Sequence, residues 1–326
     1  MASLSLTPDR AHPWVADAAQ GIRFGISIYP QPAAWPEFIR IVRRMETQGY
    51  DSYWSYDHPT AHADCWTALT ALALTTERLR LGTMVACIAY RTPYMLARLA
   101  ADVDRLSAGR LILGLGIGHV VTEFEQMGVP FLPTAERQRA LEETITILRG
   151  LWSGEPFAFD GEHVSASSDG TFLGPVQEPY VPILLAGGGE KVTLRQVARF
   201  ADAANMGSHH SLGNAATRDS VERKFAKLHD YCHEIGRPRE TVLRSHFTMP
   251  LILAETPQAV TAKLAGMSRE TLERCGPAVF AGTPDEAIAF YRDLAEVGYH
   301  YFVANILDGD TETIDLLASG VMPAFR

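Results

Sequence analysis

From residue 22 onward, short apolar runs alternate with longer stretches in which apolar residues recur every three to four positions. The short runs read as buried strands. The longer stretches read as helices that pack one face against them. Strands are predicted at 22–28, 52–56, 79–85, 111–115, 183–186, 203–206, within 242–254, and at 301–306. Helices are predicted at 35–48, 65–75, 93–106, 134–152, from the Gly187-Gly188-Gly189 triplet to Phe200, at 220–235, 257–266, 269–275 and 283–297, with a last one after Asp310. The end signals agree: the first helix stops at Gly49, and Pro93 opens another where a missing amide hydrogen does no harm. Residues 153–179 break the alternation. They are rich in Gly, Pro, Ser and Asp, and PFAFDGEHV within them reads as a small hairpin. The pattern therefore predicts an α/β chain folded as a (β/α)8 TIM-like barrel with an insertion near residues 153–180. Residues 1–20 read as a leader or docking arm, and 21–326 as a single barrel domain.

Composition narrows the picture a little. The 326 residues are 47% hydrophobic and 21% charged, enough for a large core. A net charge of -9 argues against nucleic acid, which favours a basic patch. Four scattered cysteines without a C-x-x-C pair suit reduced core thiols in the cytoplasm rather than a disulfide framework or a zinc site. No apolar run approaches the ~18 residues of a membrane span, and the first twenty residues lack the basic head and apolar stretch of a signal peptide.

Candidate chemistry collects at the predicted strand ends, where a barrel of this kind holds its site. The segment SAGRLILGLGIGHVVTEFEQMGVPF (107–131) sets Gly114, Gly116 and Gly118 in alternation, then His119. A dinucleotide G-x-G-x-x-G fingerprint is refused by the spacing, because the third glycine position falls on a bulky residue. The glycines read instead as a strand end that lets a flat ligand approach the backbone. Asp57-His58 reads as a proton-transfer or substrate-orienting pair, or else as a helix-capping aspartate beside a packed histidine. His58, His62 and Asp64 offer a metal set without a strong zinc signature. Gly187-Gly188-Gly189 ahead of a helix, with Thr193 nearby, is a cradle for an anion, or a tight turn. Glu123 reads as a ligand contact or a helix N-terminal acid, Tyr90 and Arg91 as a helix-entry loop, and His209-His210 as a solvated pair. His246 lies on the seventh strand.

Together these pieces resemble the luciferase-like monooxygenase superfamily, and within it the oxidoreductases that use the deazaflavin coenzyme F420. The resemblance rests on GYDSYWSYDHP (49–59), the run from Arg78 to His119, PFAFDGEHV, residues 175–206 and residues 280–303. It implies a barrel with an insertion covering its mouth and a flavin or deazaflavin across the strand ends. It places His58 near the reactive ring face, with Asp57 orienting it, and Gly116, Gly118 and His119 along the ring. Gly188, Gly189, Glu190 and Thr193 would hold the cofactor phosphate, and a non-prolyl cis peptide is implied near Met84-Val85. One departure stands out: a sugar-phosphate branch carries glutamate where this chain has His119. The first functional reading is therefore an F420-dependent oxidoreductase acting on a small molecule. The alternative is an FMN-dependent monooxygenase fed by a separate reductase, and a third is a non-catalytic flavin-binding relative. The resemblance also implies a homodimer.

Overall fold

The computed structural model describes residues 8, 10–29, 34–209, 213–307 and 309–326. Eight parallel strands close into a barrel. They are β1 (Arg23–Ser27), β2 (Ser52–Ser55), β3 (Arg80–Thr83), β4 (Leu111–Gly116), β5 (Ile183–Ala186), β6 (Ala203–Met206), β7 (Leu243–Thr248) and β8 (Tyr301–Asn305). Each pairs with its neighbour in chain order, and β1 closes the ring on β8 with Arg23 opposite Tyr301. The (β/α)8 expectation holds.

The strands are apolar throughout because both faces are covered. Ile112, Leu184, Leu243 and Val303 point into the barrel, while Leu111, Leu113, Ile183 and Phe302 meet the surrounding helices. The short helix Pro13–Ala18 adds Trp14 and Val15, each 1% exposed, to the interior cluster. Trp14 meets Tyr301 edge-on at 5.7 Å. His12 fixes the entry: its Nδ1 accepts the Trp14 amide at 3.2 Å, so Nε2 carries the proton and donates to the Tyr180 carbonyl at 2.9 Å. The part of 1–20 that is described thus packs into the barrel.

The structure departs from the pattern in four places. The third strand is not continuous. β3 ends at Thr83, the Met84–Val85 peptide is cis, and a two-residue continuation, Ala86–Cys87, pairs again with β4. A helix at Val121–Met127 follows the fourth strand, too short for periodicity to reveal. The stretch 242–254 holds two strands: β7, then after a cis Met249–Pro250 bond Leu251–Leu253, which pairs with Phe280–Gly282 outside the barrel. The hairpin in the insertion forms, Pro156–Asp160 against Ser165–Asp169, with the Glu143 carboxylate accepting the amides of Glu162, His163 and Val164. It does not cover the mouth. Its apolar face, with Phe157 lying over Gly150, docks on the outside of helix Thr134–Trp152.

No helix among the described residues is long and apolar enough to cross a membrane. The four cysteines are buried and unpaired with one another.

Candidate active site

A cavity of about 1050 Å³ opens at the carboxyl ends of the strands. His58, His119, Glu123, Val85 and the Gly187–Gly189 turn all line it, and no residue of 153–179 does. The loops expected to shape it from the insertion therefore play no part, because the hairpin's apolar face is already used on the helix layer.

His58 meets Glu123, not Asp57. Its Nδ1 lies 2.9 and 3.0 Å from the two Glu123 carboxylate oxygens. Glu123 sits in the first turn of the helix Val121–Met127 and is buried. It also accepts from the Tyr90 hydroxyl at 2.8 Å and from Thr60 at 3.3 Å. Burial alone would raise its pKa, but the hydrogen bonds from His58 and Tyr90 outweigh that and hold it below the ordinary carboxylate value. An ionised carboxylate only accepts, so His58 Nδ1 carries a proton and Nε2 is the nitrogen left for exchange. Burial and the same carboxylate drive the Tyr90 phenol well above its usual range, so it stays a donor.

The orienting role expected of Asp57 is thus corrected. Its carboxylate is 1% exposed and faces the other way. It accepts two hydrogen bonds from Arg91, at 2.7 and 3.1 Å, and the Cys87 amide at 3.0 Å. Asp57 therefore pins the strand segment just beyond the cis peptide. Arg91 also pairs with Asp64, which caps helix Cys65–Thr75. Asp57, Asp64 and Cys65 bring ligand atoms within 4.8 Å of one another, but the guanidinium bridges both carboxylates. The metal set His58, His62 and Asp64 is not assembled: each is engaged elsewhere, His62 by stacking on Tyr29 at 3.8 Å.

The alternating glycines also change meaning. A Cβ on Gly114 would overlap the Thr83 carbonyl, and one on Gly116 would lie 2.6 Å from Val85 Cγ2. Gly118, at φ +74°, turns the chain tightly over Phe124 and Cys87. Their missing side chains admit the bulge of the neighbouring strand. The bulge, not the glycines, then brings Val85 to the cavity wall. Arg137 closes this turn by donating to the Ile117 and Gly118 carbonyls.

Across the mouth, Gly187–Gly189 lead to the helix Thr193–Phe200. A Cβ on Gly188 would come within 3.1 Å of Gly213, and one on Gly189 within 2.9 Å of the Thr193 hydroxyl. Lys224 stands beside the turn, 6% exposed, donating to the Gly188 carbonyl at 2.7 Å. Glu190 accepts from Arg223 at 3.0 Å and from Lys224 at 3.5 Å. Open backbone, a helix start and a buried ammonium make a site that fits an anion. Sequence reasoning missed Lys224, although it shares the apolar face of helix Arg218–Glu234 with Val221, Phe225 and Leu228. A lysine in such a stripe is the signal.

His246 does not join the site. It is 2% exposed between sheet and helices, against Tyr299 and Phe290. His119 does join, its ring edge-on to His58 at 6.0 Å. His209 lines the cavity, and His210 lies outside the described residues.

The sequence profile of the luciferase-like monooxygenases matches residues 7–314. The chain belongs to that family. Within it, the chain is 37% identical over 160 residues to the F420-dependent glucose-6-phosphate dehydrogenase of Kineococcus radiotolerans, 46% of either chain, so it spans less than half of that relative's length. A longer match, 26% identical over 321 residues, covers 87% of this chain and 92% of the enzyme of the same name from Intrasporangium calvum. Among solved structures, the luciferase-like fold is shared with the coenzyme F420-dependent tetrahydromethanopterin reductase of Methanopyrus kandleri (TM-score 0.77, 19% identity, 94% of this chain and 100% of that one). It is also shared with the oxygenating constituent of 3,6-diketocamphane monooxygenase from Pseudomonas putida, in complex with FMN (TM-score 0.72, 17% identity, 93% and 98%). Members of this family are enzymes, oxidoreductases and monooxygenases alike.

Proposed function

We propose that this luciferase-like chain is an F420-dependent oxidoreductase acting on a small organic molecule. The supporting observation is the pairing of His58 with Glu123 on one side of a mouth whose other side is an anion cradle, in a chain similar along most of its length to enzymes named for F420. Gly188, Gly189, Thr193 and Lys224 would hold the cofactor phosphate, with Glu190 keeping Lys224 and Arg223 in place. Gly116, Gly118, Met84 and Val85 would form the floor under the ring. When bound, the deazaflavin supplies or accepts a hydride.

The chain's own residues manage the proton and the geometry. His58 gives or takes a proton at Nε2 while Glu123 holds Nδ1 and balances the charge that results. Tyr90 and Thr60 fix the carboxylate. His119 stands across from His58 on the substrate side, in place of the acid used by the sugar-phosphate branch. Asp57 acts at one remove, through the strand it pins. On the same reading the protein is a cytoplasmic homodimer.

The test is fluorescence titration of the purified chain with F420 and with FMN, followed by turnover of the His58→Ala variant. F420 should bind at least about ten-fold tighter than FMN. His58→Ala should lower turnover by ~10²-fold or more, with cofactor affinity unchanged. Preference for FMN, with oxygen consumed when a separate reductase supplies reduced flavin, would establish the monooxygenase reading instead. Binding of neither cofactor at micromolar concentration would leave a non-catalytic relative.

A further inference from the structure

The cavity mouth is chemically divided by strand. Its described cations, Lys224 and Arg137, stand on the side of β4 to β6, and both are committed to backbone carbonyls there. The opposite arc, from β7 through β8 and β1 to β2, has a different wall. Tyr29, just after β1, stacks on Tyr56, just after β2, with ring centroids 4.5 Å apart and planes 25° apart. Phe247 of β7 meets Tyr56 edge-on at 6.2 Å. Met249 and Leu307 line the same arc. Among the described residues lining this arc there is no lysine or arginine. The carboxylates that line the cavity beside it are Asp57, bonded to Arg91, and Glu123, bonded to His58.

We propose that this arc is the substrate subsite and that it takes a neutral molecule with an aromatic or alicyclic body, not a phosphorylated sugar. A phosphate on this wall would lose its hydration without gaining a cation, and would lie near a carboxylate. A ring would gain apolar burial and edge or face contacts with Tyr29, Tyr56 and Phe247. The inference rests on the reading of the cradle side as the cofactor side. It departs from what the names of the chain's relatives suggest.

The experiment is ligand-observed NMR titration of the full chain with benzyl alcohol and with glucose 6-phosphate, each without cofactor and with saturating F420. Benzyl alcohol should bind at least about ten-fold tighter than glucose 6-phosphate. Tyr29→Ala and Phe247→Ala should each weaken benzyl alcohol by about five-fold or more while leaving F420 affinity within about two-fold. Equal or tighter binding of glucose 6-phosphate would overturn the proposal. So would absence of benzyl alcohol binding in both states, or binding that neither variant changes. If F420 itself fails to bind, the functional reading falls, and the comparison in the cofactor-free protein still decides the subsite.

Discussion

At the scale of single residues, Asp57 acquires its role from its partners rather than its neighbours in sequence. Asp57 adjoins His58 in the chain but spends its carboxylate on Arg91 and the Cys87 amide. Asp57→Asn leaves a guanidinium, 15% exposed, with only Asp64 as a charged partner. The expected loss is about 3 kcal/mol in urea denaturation, because breaking a buried pair strands the surviving charge. Cofactor affinity should fall as the strand beyond the bulge loosens, while the pH profile of turnover keeps its shape. A shifted profile would mean that Asp57 acts on His58 after all. His246 carries the second prediction. Burial pushes its pKa down to about 3, and its Nε2 has no hydrogen-bond partner. The folded protein thus holds it neutral, whereas the unfolded chain takes up a proton as pH falls through about 6.5. Stability falls below that pH by ~1.4 kcal/mol per unit, until the folded pKa is reached. Between pH 6.5 and 5, His246→Leu should lose about 2 kcal/mol less than the parent, measured as the difference between their denaturation free energies. Equal losses would show that the imidazole is solvated.

At the scale of elements, β3 and β4 form one device. The chain at 83–85 lies against β4 where Gly114 and Gly116 carry no side chain, and a Cβ at either would overlap it. The two glycines are not equivalent. A methyl at 116 meets only the end of the Val85 side chain, whereas one at 114 meets the Thr83 backbone carbonyl. Gly116→Ala should therefore cost ~1–3 kcal/mol and be largely rescued by Val85→Ala in a double-mutant cycle. Gly114→Ala should be more damaging and gain little from the same partner change, because Val85 Cγ1 at 3.1 Å is the lesser of its clashes. Full rescue at 114 would mean that the Val85 side chain, not the Thr83 carbonyl, is the obstacle there, and no rescue at 116 would mean that Val85 is not the obstacle.

At the scale of the whole molecule, the barrel is closed at one end and open at the other. Helix Pro13–Ala18 seats Trp14 among the interior residues, opposite the mouth. Trp14→Ala should cost ~3–5 kcal/mol, the usual range for truncating a buried tryptophan. It should leave cofactor affinity nearly intact, because the floor and the site are separate layers of one barrel. A thermal midpoint unchanged by the substitution would show that the helix is an accessory arm.

The sequence by itself determined the architecture and which strand ends line the cavity at its mouth. Eight apolar strands announce themselves through burial on both faces, and barrels put strand ends together, so His58, His119, Glu123 and Gly187–Gly189 could all be named in advance. Helix amphipathicity is a local property and survives in one dimension. What only the tertiary structure decided is pairing. Whether His58 meets Asp57 or Glu123 depends on two residues 65 apart in the chain, one just after β2 and one on the helix that follows β4. Whether a glycine serves a ligand or a neighbouring strand depends on β3 and β4 lying side by side. The hairpin's place on the outer helices, Trp14 in the floor and Lys224 at the cradle follow the same rule. Each is fixed by which surfaces closure of the barrel brings into contact, and periodicity along the chain carries no information about that.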